Sequence, residues 1–164
     1  METEFSDSAC TLSKNIILEG AIRVFVTAEL RDSVQKNLVK VDECATWLKN
    51  HGEEVSVGNL TMKLAAERAL HVAIECATDA ANLVIDALVM RDPGGYSDII
   101  RVLMEEDVVS RDWFAAFEGA LDFRNHLVRR YANLTAEEVH QAAVTYGPLL
   151  PAYSEALRSY LDIV

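Results

Sequence analysis

The stretch GNLTMKLAAERALHVAIECATDAANLVIDALVM, residues 58–90, decides the fold. After Gly58 it contains no glycine and no proline, and Leu60, Leu64, Leu70, Ile74, Ala77, Ala81, Val84 and Leu88 recur at helical spacing. Steps of four pick out Lys63, Glu67, His71, Glu75 and Asp79, and a step of three then leads to Asn82 and Asp86. The pattern predicts one long helix, buried over most of its circumference, with a single polar stripe. Three readings of the stripe stay open. It is a solvated face, or it lines a cleft with Glu75 and Asp79, or Glu67, His71 and Glu75 chelate an ion through i, i+4 spacing. The last needs a second histidine–carboxylate pair that the stripe does not supply, so neither a metal nor another cofactor is expected.

The neighbouring segments are helical too. A first helix is predicted from about Leu30 to Asn50, with Val34, Leu38, Val41, Ala45 and Leu48 on one face and His51-Gly52 closing it. Arg91-Asp92-Pro93-Gly94-Gly95 stops the long helix near Met90, and a shorter third helix follows from Tyr96 to Glu106. Ser110 is placed to cap a fourth helix reaching Tyr131. Thr135 and Glu138 form a capping-box pattern that opens a fifth, which Pro148 and Pro151 interrupt near its middle. The fold class is therefore all-α, an up-and-down bundle of four to five helices around one long central helix. Residues 1–26, where Asn15-Ile16-Ile17-Leu18 and Arg23-Val24-Phe25-Val26 flank Gly20, suit a short extended segment as well as a helix. They are read as an extension to a domain spanning 27–164.

Composition narrows the function classes. The chain's 164 residues carry 26 acidic and 15 basic side chains, a formal charge of −11. A general nucleic-acid-coating role is disfavoured, because any attraction to phosphates must come from a local patch. No apolar run approaches a membrane span, and the acidic Met-Glu-Thr-Glu start is unlike a secretory signal, so a cytoplasmic protein without membrane association is expected. Cys10, Cys44 and Cys76 match no disulfide framework or metal pair and are expected to be reduced and mostly buried.

The fourth helix ends in Phe123-Arg124-Asn125-His126-Leu127-Val128-Arg129-Arg130-Tyr131. This stretch resembles the Arg-Asn-x-Leu-Val-His-x-Tyr helix of HepT-like proteins of the HEPN superfamily, keeping Arg124, Asn125, Leu127, Val128 and Tyr131 in register. The segment from Met90 to Ile100, followed by Val108-Val109, is similar to the linker and third helix of one branch of that family. The resemblance covers about residues 24–164.

It implies a homodimer in which two Arg-x4-6-His motifs face each other across a cleft that, in active members, cleaves RNA without a metal. Arg124 suits the stabilisation of a phosphorane-like transition state. At the histidine position stands Arg129, which stays protonated and cannot exchange a proton near neutrality. Ordinary acid–base catalysis is therefore expected to be impaired or lost. His126, one turn before Arg129, is a candidate to replace the missing group, with a merely solvated imidazole as the alternative. Arg124, Asn125, Arg129 and Arg130 form a candidate phosphate-binding patch, although Arg129 and Arg130 also suit the negative end of a helix dipole. By position Tyr131 corresponds to the tyrosine that receives AMP where the family pairs with a nucleotidyltransferase antitoxin; the alternative is a tyrosine packed at the bundle end. Phe114, Phe117, Ala120, Leu121 and Val128 make a stripe too wide for one neighbour, so dimerisation through the face of Arg124 and Tyr131 is expected. The implied partners are a second copy, an RNA or nucleotide, and an antitoxin; the other class of function left open is a non-catalytic binding or assembly protein.

Overall fold

The computed structural model describes residues 26–163. Six α-helices follow in order: α1 (Ala28–His51), α2 (Leu60–Ala87), α3 (Ile99–Glu105), α4 (Arg111–Arg129), α5 (Ala136–Tyr146) and α6 (Leu150–Tyr160). Short 3-10 turns precede α3 at Tyr96–Asp98, follow α4 at Tyr131–Asn133 and join α5 to α6 at Gly147–Leu149. Among the described residues there is no strand, and the all-α reading holds.

Local chemistry sets the starts. Thr27, Asn59, Ser110 and Thr135 each accept a backbone N–H of the following first turn through the side chain. At α5 the box is reciprocal, because Glu138 accepts the Thr135 N–H in return. Helix ends are less orthodox. Val89, Asp107 and Asp162 lie at φ 53°, 56° and 50°, where glycine is the usual occupant. Each is followed by an N–H that reaches back across the last turn, as Met90 does to the Ile85 carbonyl at 3.0 Å. This is why the long helix stops at Ala87, before the proline–glycine turn that the sequence offered as its terminator.

The core runs through all six helices. α1 contributes Val34, Leu38, Val41 and Leu48, and α2 contributes Leu70, Ile74, Ala77, Ala81 and Val84. The alanines let α1 and α2 pack closely along their length. Tyr153 of α6 is wholly buried and donates its hydroxyl to the Ala77 carbonyl at 2.6 Å. The interruption predicted at the prolines lies at Gly147–Leu149, with Pro148 inside the 3-10 turn and Pro151 tolerated in the first turn of α6. Two contacts fix this bend. A side chain at Gly147 would put its Cβ 3.2 Å from Leu48 Cβ, and the Leu149 carbonyl accepts the Trp113 indole N–H at 2.9 Å.

Several expectations need correction. Leu60 and Leu64 are 64% and 52% exposed, so the first two turns of α2 do not bury their leucines. Phe114, Phe117, Ala120 and Leu121 are consumed within the protomer, leaving only Val128 of that stripe exposed. Cys44 and Cys76 are free but half-buried, and burial pushes both thiols up, which disfavours the reactive thiolate. Val26, assigned by the sequence to the extension, is already buried against the core. The extended-or-helical reading of residues 1–25 and the fate of Cys10 fall outside the described residues. No described helix is long and apolar enough to cross a membrane.

Candidate functional site

The middle of α2 and the second half of α4 form the walls of a shallow groove. One turn of α2 beyond the His71 that lines it stands Glu75, whose Oε1 accepts the Arg124 Nε–H at 2.6 Å and lies 3.3 Å from His71 Nε2. The Arg124 guanidinium carbon also sits 4.3 Å from the centroid of the Tyr96 ring. Tyr96 is fixed in turn by its hydroxyl, 3.0 Å from Thr78 Oγ1, which also donates toward the Ile74 and Glu75 carbonyls. Side chains from α2 and from the turn before α3 therefore converge on one guanidinium of α4. The hydrogen bond to Glu75 holds Arg124 ionised above its already high range, and burial pushes the Tyr96 phenol up.

The polar stripe is therefore only in part a solvated face. Lys63 pairs with Glu67, and Glu75 pairs with Arg124, so neither carboxylate is an uncompensated charge. Beyond them Asp79 and Asp86 are exposed, and Asp79 takes no part in the cluster at Arg124. Glu67, Arg68 and His71 line a small depression with Leu64 and Leu127, continuous along α2 with the Glu75 position. Among the described residues no group of three or more histidine, cysteine, aspartate or glutamate side chains is arranged to hold a metal ion, and this includes Glu67, His71 and Glu75.

The remaining motif residues of α4 are dispersed. His126 turns away from Arg124, as two residues on a helix must, into a groove against α5 with Phe123, Glu137, Glu138 and Gln141. Its ring meets Phe123 edge-on with centroids 5.8 Å apart, and its Nε2 lies 3.4 Å from Arg130 Nη1. Within one protomer the structure does not bring His126 to the arginine it was invoked to assist. Asn125, Arg129 and Arg130 are exposed around the end of α4. Tyr131, in the 3-10 turn beyond, is 66% exposed and is not packed at the bundle end. Leu60, Leu64, Val128 and Tyr131 thus give this end of the molecule an exposed apolar rim beside the groove.

Sequence reasoning identified Arg124 and Glu75 but missed Tyr96 and undervalued His71. Tyr96 lies in a turn 28 residues before Arg124 and belongs to no periodic pattern. His71 was visible in the stripe, and its i, i+4 relation to Glu75 was the available signal.

Comparison with known proteins gives the chain's family. Residues 36–157 match the family described as ribonuclease HepT-like. The Bacillus subtilis (strain 168) protein named "Putative RNase YutE" is 33% identical over 128 residues, covering 78% of this chain and 82% of that protein. The solved structure of YutE, described as a cytosolic protein, superposes with a TM-score of 0.73 at 27% identity, over 80% of this chain and 90% of that one. A tri-AMPylated Shewanella oneidensis HEPN toxin, solved in complex with an MNT antitoxin, superposes with a TM-score of 0.65 over 78% of this chain and 98% of that one. At 13% identity, that likeness speaks to the fold.

Proposed function

The chain belongs to the ribonuclease HepT-like family, and from that premise we propose that it acts as a dimeric, RNase-toxin-like protein that binds RNA or a nucleotide in a groove centred on Arg124. The observation that carries the reading is the fixation of Arg124 by Glu75 and Tyr96. A guanidinium has five N–H donors, and Glu75 takes the Nε–H, so the others remain for phosphate oxygens. Stacking on Tyr96 removes rotamer freedom before a ligand arrives, which lowers the entropic cost of binding.

Dimerisation follows from the apolar rim. Leu60, Leu64, Val128 and Tyr131 flank the groove, and a two-fold contact through them buries surface that a monomer leaves in water. The same operation sets Arg124, Arg129 and Arg130 of both protomers along one channel and supplies local positive charge that the net −11 does not. Arg129 binds anions but moves no proton, so cleavage through that position is lost. Tyr131 is the candidate AMP acceptor, and its exposure is what such a reaction with a nucleotidyltransferase antitoxin requires.

A non-catalytic assembly protein is the competing reading, supported by Arg129 at the family's histidine position. Fluorescence anisotropy with a short single-stranded RNA at low salt separates the two. Submicromolar to micromolar binding that weakens steeply with salt is the expected result; no binding at low salt favours assembly.

A further inference from the structure

We propose that His71 is the proton-transfer residue of a residual ribonuclease activity in the Arg124 groove, replacing from α2 the function that Arg129 cannot perform on α4. The inference rests on the RNA-binding reading of that groove.

The chain has four histidines, and the structure describes all of them. His51 packs at a tilt against Trp47 at the far end of α1 and pairs with Glu54. His140 contacts the Gly52 carbonyl at 3.0 Å, and His126 lies in the α4–α5 groove. Only His71 shares a partner with Arg124. Glu75 Oε1 is 3.3 Å from the imidazole Nε2 and 2.6 Å from the guanidinium Nε, so the two nitrogens are separated by no more than those contacts laid end to end. That spacing lets one phosphodiester unit touch both groups.

The carboxylate gives the imidazole a direction. Glu75 Oε1 stands beside Nε2 as an ion-pair contact, and Nδ1, on the other side of the ring, has no hydrogen bond among the described residues. A carboxylate beside one ring nitrogen attracts the imidazolium that forms during reaction. Glu75 therefore positions both groups. The charged and titratable groups around the ring are Glu67, Arg68 and Glu75 on α2, Arg124 on α4 and Tyr96 from the turn before α3. His71 is about a third exposed, which leaves it reachable by a substrate.

In the step this predicts, Nδ1 takes the proton of a ribose 2′-hydroxyl as that oxygen forms its bond to the adjacent phosphorus. The bond from phosphorus to the 5′ oxygen breaks, and that oxygen takes a proton from solvent. The imidazolium then returns its proton to solvent. The products are a 2′,3′-cyclic phosphate and a 5′-hydroxyl, and nothing is oxidised or reduced. Arg124 meets the charge that builds on the phosphorus oxygens.

The test compares the original protein with His71→Gln, His71→Asn, His126→Ala and Arg124→Ala, measuring RNA affinity by anisotropy and single-turnover cleavage in EDTA across pH 5 to 9. The expected result is slow cleavage by the original protein with a rise through the histidine range. His71→Gln and His71→Asn should lower the rate constant at least about 100-fold, remove that rise and change RNA affinity less than about twofold, while His126→Ala cleaves as the original does. Thermal unfolding of each variant identifies any that fail to fold, and the two His71 substitutions check each other. If the original protein binds RNA without cleaving it, or if both His71 variants cleave at the original rate, the assignment of His71 is overturned and the groove reading stands. If the original protein binds no RNA at low salt, both fall.

Discussion

Two parts of the motif that ends α4 behave differently. Around Arg124 the side chains of α2, α4 and the turn before α3 hold one another, through Glu75 at 2.6 Å and Tyr96 at 4.3 Å, without help from outside the protomer. Asn125 beside Arg124, and Arg129, Arg130 and Tyr131 one to two turns later, reach into solvent, and the side-chain contact among them is the 3.4 Å approach of Arg130 to His126. The first region is organised before a ligand arrives; the second has form only if a second copy or another partner supplies it. A motif continuous in sequence is thus split into a preformed half and a conditional half. Affinity should reside in the first, and partner-dependent chemistry in the second.

The largest expected effect comes from breaking the conditional half. Leu64→Asp combined with Val128→Asp places two charges per protomer on the apolar rim, and the dimer dissociation constant measured by light scattering or sedimentation should rise by more than about 100-fold. A smaller effect sharpens the contrast. Arg129→His removes one permanent cation from each protomer, so RNA affinity at low salt should fall by a few-fold, roughly what one or two exposed phosphate contacts contribute. The same variant restores a neutral-range titrating group at the family's position and should gain cleavage. An unchanged rate would mean that the exposed end of α4 does not enter the groove.

The two remaining effects concern the frame that holds the preformed half. Tyr153→Phe strips the hydroxyl that donates to the Ala77 carbonyl one turn beyond Ile74 and should cost about 1 kcal/mol in chemical denaturation. The turn that carries Tyr96 has an acid-sensitive latch. Arg91 and the Gly94 N–H hold the Asp98 carboxyl down at about 2, below its ordinary value. A depressed carboxyl contributes stability above its unfolded pKa and loses it as pH falls through the folded value. Stability should therefore decline between about pH 4 and pH 2, and Asp98→Asn should flatten that decline in acid titrations followed by circular dichroism.

Fold and site were legible in the sequence to different degrees. Periodicity placed α1, α2, α4 and α5 because their apolar faces pack on one shared core, and capping residues Ser110 and Thr135 marked two starts to the residue. The end of α2 was missed because Val89 adopts the left-handed conformation without being glycine, an outcome settled by the packing of Leu88 and Met90 and invisible to a rule about glycine. Arg124 was legible because it belongs to a family motif. Its partners were not equally so. Glu75 was in the stripe, but nothing in the order of residues shows that Tyr96 crosses beneath the same guanidinium. His126 looked suitable by its nearness to Arg129 in sequence, yet it is 200° around the helix from Arg124 on the ideal geometry of about 100° per residue. Exposure of Leu60 and Leu64 was also hidden, since periodicity reports which residues share a face and not whether a neighbour covers it.

A guanidinium held in place by Glu75 and Tyr96 should make the Arg124 groove a binding site for RNA or nucleotide anions. This is tested most directly by titrating a short single-stranded RNA into the original protein and into Arg124→Ala at several salt concentrations. Salt-sensitive binding is expected, and Arg124→Ala should weaken it roughly tenfold to hundredfold, the range for a charge-assisted contact of about 1.5–3 kcal/mol, with a shallower dependence on salt. Equal affinity and equal salt dependence for the two proteins would contradict it.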